Sequence, residues 1–299
     1  MQENILVSCW VVSYNSAATV IETLESIKNQ TYQNIELIVS DDCSKDDTIN
    51  ICRNWLDKNK ERFVRTELLT VEKNTGVSGN CNRAIQACHG FWVKGCSADD
   101  ALLTNCVEDY VNFVKIKSEA RWVASEIRRY KETFEEKNCL SRHYVSTRDL
   151  YDLTVEEQIK RISKENTIPV ISLFLQLSLI KEIGGYDTAY SFEDWPFNIK
   201  VLEKGYKCYF MDKETVAYRF HDSASQSTNQ LFHTGLLPEC RRFQRERCFV
   251  HLSKKQIKGI LLQWKVQDIL IKLHLNKRIP IISHMYYVTL KIISTIYNL

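Results

Sequence analysis

The first hundred residues alternate short, nearly unbroken apolar runs with stretches whose apolar residues recur at helical spacing, and that alternation admits few architectures. Leu6-Val7-Ser8-Cys9-Trp10-Val11-Val12 reads as a strand covered on both faces, as in a parallel sheet. It stops at Ser13-Tyr14-Asn15-Ser16, where Ser16 can cap a helix carrying Val20, Leu24 and Ile27. The unit repeats with a strand at Ile35 to Val39, a loop at Asp41-Asp42-Cys43-Ser44 and a helix from Thr48 to Leu56. A third strand near Glu67 to Val71 leads through Asn74-Thr75-Gly76 to a helix from about Ser78 to Ala87. A fourth, Phe91 to Gly95, ends at Ser97-Ala98-Asp99-Asp100. The expected fold is α/β, a doubly wound and mostly parallel sheet with flanking helices.

Beyond Leu140 the pattern loosens into a charged helix around Glu156 to Lys164, an apolar stretch from Pro169 to Ile180 and a turn at Gly184-Gly185-Tyr186-Asp187. The chain of 299 residues exceeds the prior of about 150 per domain, which allows one large domain or two smaller ones. We expect one domain over 1–235, in two halves (1–110 and 111–235), followed by a basic helical segment over 236–299. Charge divides in the same way. From Arg241 to Leu299 there are 12 Lys and Arg against 2 Asp and Glu, net +10, which leaves the preceding residues at net −7.

With 44% hydrophobic residues, nine Gly and four Pro, the chain is neither disordered nor fibrous. Eleven Cys, without any C-x-x-C, suggest neither a disulfide framework nor a zinc ribbon, and read as reduced, buried thiols. Met1-Gln2-Glu3-Asn4 has no basic character and no cleavage pattern follows, so the start does not read as a signal peptide.

In open α/β sheets ligands sit beyond the carboxyl ends of the strands, and Tyr14, Asp41, Asp42, Asp99 and Asp100 all lie just past such ends. Neither a dinucleotide fingerprint nor a P-loop is present, so glycine amides do not cradle a phosphate here. Carboxylates at strand ends suit a hard divalent cation bridging protein oxygens to a diphosphate. Each Asp-Asp pair is also ordinary turn or cap chemistry, and what shifts the balance is that two pairs stand at successive strand ends.

Val12-Ser13-Tyr14-Asn15, Ser26 to Tyr32 and Glu36 to Asp46 resemble, in order and spacing, the opening of the family 2 inverting glycosyltransferases of the GT-A fold. The resemblance continues through Asn74-Thr75-Gly76, Ser97-Ala98-Asp99-Asp100, Gly184-Gly185-Tyr186-Asp187, Glu193-Asp194 and Tyr218-Arg219-Phe220-His221, over about the first 230 residues. It implies that Tyr14 stacks on a nucleotide base beside Val12 and Ser13, and that Asp42, next to Asp41, accepts from the base imide, which favours uracil. Asn74, Gly76, Ala98 and Asp99 fall on nucleotide-contacting positions. Asp99 and Asp100 match the acidic motif that holds the ribose and a Mn²⁺ or Mg²⁺, with Ser97 where the family usually has another Asp. His221 matches a third metal or diphosphate ligand. Asp194 matches the catalytic base, with Glu193 next in line, although both would equally serve the first turn of a helix entering Pro196. Where the family often has Ala-Arg-Asn, this chain has Asn80-Cys81-Asn82, so Arg83 either replaces that cation or faces solvent.

The expected function is transfer, with inversion, from a nucleotide-diphosphate sugar, most simply a UDP-sugar, to a hydroxyl of a saccharide in bacterial surface-polysaccharide assembly. The setting implied is cytoplasmic, with a lipid-linked acceptor and peripheral contact with the anionic inner face of the membrane. The alternatives are a nucleotidyltransferase, which would normally show a glycine-rich, basic loop after its first strand, and a non-catalytic nucleotide-sugar binder; a nucleic-acid binder would show a recognisable motif. The tail has two readings, a helix pair covering the body or an interfacial segment in which Trp264, Tyr286 and Tyr287 accompany the lysines.

Overall fold

The computed structural model describes residues 4–142, 147–220 and 230–299. The four expected strands form as β1 (Val7–Ser13), β2 (Ile35–Asp41), β3 (Arg65–Thr70) and β4 (Trp92–Ser97), joined through α1 (Val20–Lys28), α2 (Thr48–Asn59) and α3 (Gly76–Gln86). They are parallel and in register, with Val7 opposite Ile35 on one side and Trp92 on the other. The continuous apolar runs have the cause expected of them. On β1, Val7, Cys9 and Val11 join one cluster with Leu24, Ile27, Trp55 and Leu56 of α1 and α2, while Trp10 is buried towards the opposite face.

After β4 come the short β5 (Ala101–Leu102), α4 (Cys106–Ile116), β6 (Trp122–Lys131), β7 (Cys139–Ser141), α5 (Val155–Lys164), β8 (Phe174–Gln176), α6 (Leu177–Glu182), α7 (Asp194–Glu203) and β9 (Tyr209–Phe220). Among the described residues the sheet has nine strands, in the order β3-β2-β1-β4-β8-β6-β9-β5, with β7 beside β6. Its second half is mixed rather than parallel. β8 runs against both β4 and β6, β5 runs against β9, and β6 pairs with β9 in parallel. Stacked rings of Trp92, Phe174 and Tyr110, with centroids 4.8–4.9 Å apart, join the two halves through the core.

The chain forms two compact units, residues 1–158 with 167–220, and residues 159–166 with 221–299. The second contains α8 (Leu237–Phe243), α9 (Lys254–Lys272) and α10 (Pro280–Tyr297). α9 opens on a capping box in which Ser253 and Gln256 satisfy each other's backbone N–H groups. α9 and α10 pack as a hairpin. Gly259 abuts Tyr297, Gln263 reaches Ser294, and Gln267 reaches the Tyr286 hydroxyl. No described helix is long and apolar enough to cross a membrane. Nine of the eleven cysteines are buried.

Candidate active site

Strand order reverses at β1, which has β2 and then β3 on one side and β4 on the other. The loops after β1 and β4 therefore flank the crevice where an open α/β sheet binds ligands. The first of these loops is built by hydrogen bonds from its neighbours. The Ser13 carbonyl accepts from the Asp42 N–H (2.9 Å) and from Asn80 Nδ2 on α3 (3.3 Å), and the Val12 carbonyl accepts from the Ala98 N–H (3.0 Å). Asn15 takes a positive φ of 51°, and Tyr14 beside it stands half exposed.

Asp41 and Asp42 serve different tasks. Asp41 is fully buried, and its carboxylate accepts from the Ser13 hydroxyl (2.8 Å) and from the Ser44 N–H and hydroxyl (2.8 and 2.6 Å), so it ties β1 to the loop after β2. Asp42 is also buried. Its carboxylate accepts from the Thr75 N–H (2.9 and 3.0 Å to the two oxygens), the Thr75 hydroxyl (2.6 Å) and the Arg83 guanidinium (3.0 Å). Three of these bonds crowd Oδ1, while Oδ2 shares only the Thr75 N–H among the described residues, which leaves it room for one more donor.

Arg83 turns inward rather than to solvent. It also donates to the Ser40 hydroxyl (2.9 Å), the Asp41 carbonyl (3.3 Å) and Asn80 Oδ1 (2.8 Å), and so fastens α3 to the end of β2. Asn74 is exposed and caps the turn by accepting from the Gly76 N–H (3.0 Å), and Gly76 enters α3 at φ +76°, a backbone region that favours glycine.

At the end of β4, Asp99 is partly exposed and Asp100 is buried. The Asp100 carboxyl accepts from the Arg219 N–H (2.8 Å), and its carbonyl accepts from the Thr23 hydroxyl (2.6 Å). Burial, reinforced by the neighbouring Asp99, pushes the Asp100 carboxyl well above the usual carboxylate range. Arg219 of β9 gathers this corner: its Nε donates to the Asp99 carbonyl (2.7 Å), its other nitrogens reach Glu22 and the Glu132 carbonyl, and its guanidinium lies 4.1 Å from the Phe134 ring centroid.

A divalent cation fits the donor type here. Mg²⁺ and Mn²⁺ are held by one or two carboxylates completed by substrate phosphates and water, and the adjacent acids Asp99 and Asp100 are of that donor type. Among the described residues no group of three or more His, Cys, Asp or Glu is arranged as a metal cage. His221 lies outside the described residues.

Glu193 caps α7 and Asp194 is its first residue, with the Asp194 Oδ1 2.7 Å from the Trp195 N–H. Glu193 lines a narrow cleft with Val12, Ser97, Trp10, Cys81 and Tyr186, with a cavity volume of about 40 Å³. Burial and the charge of Asp194 push the Glu193 carboxyl up to about 7. The far wall is the stretch 170–173, held in place where Lys94 of β4 donates to the Ile171 carbonyl. The structure thus brings Glu193 to the ends of β1 and β4, next to the residues expected at the nucleotide. Sequence reasoning missed the roles of Arg219, Thr75 and Trp10. Arg219 lay inside a recognised motif, whereas nothing local marked Trp10, whose indole N–H at the cleft wall has no hydrogen-bond partner among the described residues.

Comparison with known proteins follows this geometry. Residues 8–175 match the model of Glycosyl transferase family 2. Chondroitin synthase of Escherichia coli is 32% identical over 104 residues, covering 34% of this chain and 14% of that protein. The E. coli UDP-Glc:alpha-D-GlcNAc-diphosphoundecaprenol beta-1,3-glucosyltransferase WfaP is 31% identical over 112 residues, covering 37% of this chain and 41% of that one. The chain thus spans less than half the length of either relative. In three dimensions it is similar to S. aureus TarS 1-349 in complex with UDP-GlcNAc, with a TM-score of 0.63 over 86% of this chain and 70% of that one at 17% identity, a likeness of GT-A fold. The family match covers the switch-point loops, the Asp41-Asp42 turn, α3 and the Asp99-Asp100 corner, more than half of the chain, and the chain belongs to glycosyl transferase family 2.

Proposed function

We propose that this glycosyltransferase moves a sugar from UDP to a hydroxyl of a saccharide, with inversion at the anomeric carbon, in the assembly of a surface polysaccharide. The observation that carries the reading is the placement of Glu193, next to Asp194, in a cleft whose walls include the ends of β1 and β4. In this reading Tyr14 stacks on the uracil and Asp42 Oδ2 accepts its imide proton. Asp99 and Asp100 would hold a Mn²⁺ or Mg²⁺, which would neutralise the diphosphate and ease its departure. Asp194 takes the proton of the acceptor hydroxyl as that oxygen bonds to the anomeric carbon, while the bond to the diphosphate breaks and its electron pair leaves with UDP. Glu193, with its raised affinity for protons, is the alternative base. WfaP, by its name, acts on a diphosphoundecaprenol-linked sugar, which supports a lipid-linked acceptor here and a reaction at the cytoplasmic face of the membrane.

The test is UDP release across a panel of UDP-, GDP- and dTDP-sugars, each with and without a saccharide acceptor, in Mn²⁺ and in chelator. Acceptor-dependent release from a UDP-sugar, lost in chelator, is expected. Release at the same rate in chelator would remove the metal from the account, and activity confined to GDP-sugars would remove Asp42 as the base reader.

A further inference from the structure

The α9–α10 hairpin carries a surface that the catalytic reading does not use. On α10, Ile281, Met285, Val288, Ile292 and Ile296 recur every three or four residues and so share one face, and each is 41–73% exposed. The same helix already buries Tyr286 and Ile293 on its other side. α10 therefore has two apolar faces, and packing within the hairpin needs only one. On α9, Leu262, Ile269 and Leu273 form a second exposed apolar row beside Lys254, Lys258, Lys265 and Lys272, all exposed and on adjoining helical positions. Where the helices join, exposed Leu275 and Ile279 alternate with Lys277 and Arg278.

Charge says what can cover this surface. From Lys254 to Leu299 there are eight Lys and Arg and a single acid, Asp268, which is already bound to Arg241 at 2.7 Å. A second copy of the chain would bring lysine rows against lysine rows. A polyanion such as a nucleic acid would satisfy the lysines and leave the apolar rows in contact with phosphate. A spanning helix is ruled out for the described helices by length and polarity. A bilayer with anionic headgroups meets both demands at once, with acyl chains for the apolar rows and phosphates for the lysines beside them.

We propose that the α9–α10 hairpin is a membrane-docking surface that lies in the interface of an anionic bilayer, with Ile281, Met285, Val288 and Ile292 immersed and the lysine row of α9 on the headgroups. This surface stands on exposure and charge alone and goes beyond the catalytic reading, so either can fail without the other. The experiment is co-sedimentation of the full chain, without donor or acceptor, with phosphatidylcholine vesicles that do or do not contain phosphatidylglycerol. Sedimentation with the anionic vesicles at low salt, weakened at high salt, is expected. The triple variant Ile281→Ser, Met285→Ser, Ile292→Ser should lose about tenfold or more in partitioning, and so should Lys265→Glu, Lys272→Glu, Lys277→Glu. Ile21→Ser, an exposed apolar position on α1, should change nothing. Since all these side chains are exposed, unaltered thermal melting confirms folding, and Met285→Trp reports immersion through a blue-shifted emission. Wild-type protein left in the supernatant, variants sedimenting like wild type, or a dimer in light scattering that the apolar triple variant dissolves would each overturn the proposal.

Discussion

Asp42 and Arg83 show how a single pair shapes the loop after β2. Both are largely withdrawn from water, and the guanidinium satisfies a carboxylate that otherwise depends on Thr75 alone. Removing one partner of such a pair strands the other, so Arg83→Met is expected to lower stability by about 3 kcal/mol and to weaken UDP binding, read by denaturant unfolding and calorimetry. Wild-type values in both would show that the pair is incidental. Arg83 was named from the sequence, but its direction was not legible there, because only the packing of α3 against β2 decides whether the side chain points in. Glu193 adds a pH signature. In the unfolded chain it ionises near the ordinary carboxylate value, and in the fold only at about 7. The folded state thus binds its proton more tightly, so the stability this group contributes is full below about pH 4.5 and is lost as pH rises to about 7. Glu193→Gln should therefore melt higher than wild type at pH 8, by the equivalent of about 3 kcal/mol, with the gap closing at pH 4. A constant gap across that range would contradict the buried, proton-holding carboxyl.

Among the elements, β4 and α3 carry the tightest constraints. Gly95 lies opposite Trp10 across the β1–β4 ladder, and a Cβ there would run into the indole ring. Gly95→Ala is accordingly expected to cost about 1–3 kcal/mol and to shift the indole that lines the cleft, visible as a lower melting temperature and changed tryptophan emission. Gly76→Ala, by contrast, meets open space and suffers only the positive φ, at about 1 kcal/mol. The parallel elements were legible to within a few residues because each strand has six or seven residues with an apolar run among them and is followed by a helical period. The mixed half was not. β5 has two residues and β8 three, and such short strands exist only because β9, β4 and β6 supply their partners. No local pattern encodes a partner that stands, as these do, more than fifty residues away. The same reason hid Lys94, which is fully buried and holds the cleft wall through the Ile171 carbonyl.

At the scale of the whole molecule, an acidic catalytic unit and a basic helical unit share one chain, and the charge count of the sequence had already separated them. The composition also left two readings of the tail open, because amphipathic helices cover cores as readily as they lie on membranes; the exposed second face of α10 is a property of the folded hairpin and not of the sequence period. In the catalytic unit the site gathers around a reversal of strand order, so its parts come from residues as distant as Val12 and Glu193. The central claim is that Asp194 acts on the acceptor and not on the donor. Its most direct test compares Asp194→Asn with wild type in two readouts on the same preparation, the calorimetric affinity for UDP-sugar in Mn²⁺ and the rate of transfer to acceptor. An unchanged affinity with transfer reduced by about 10²–10⁴-fold is expected. Wild-type turnover in Asp194→Asn, or loss of transfer in step with loss of donor binding, would contradict it.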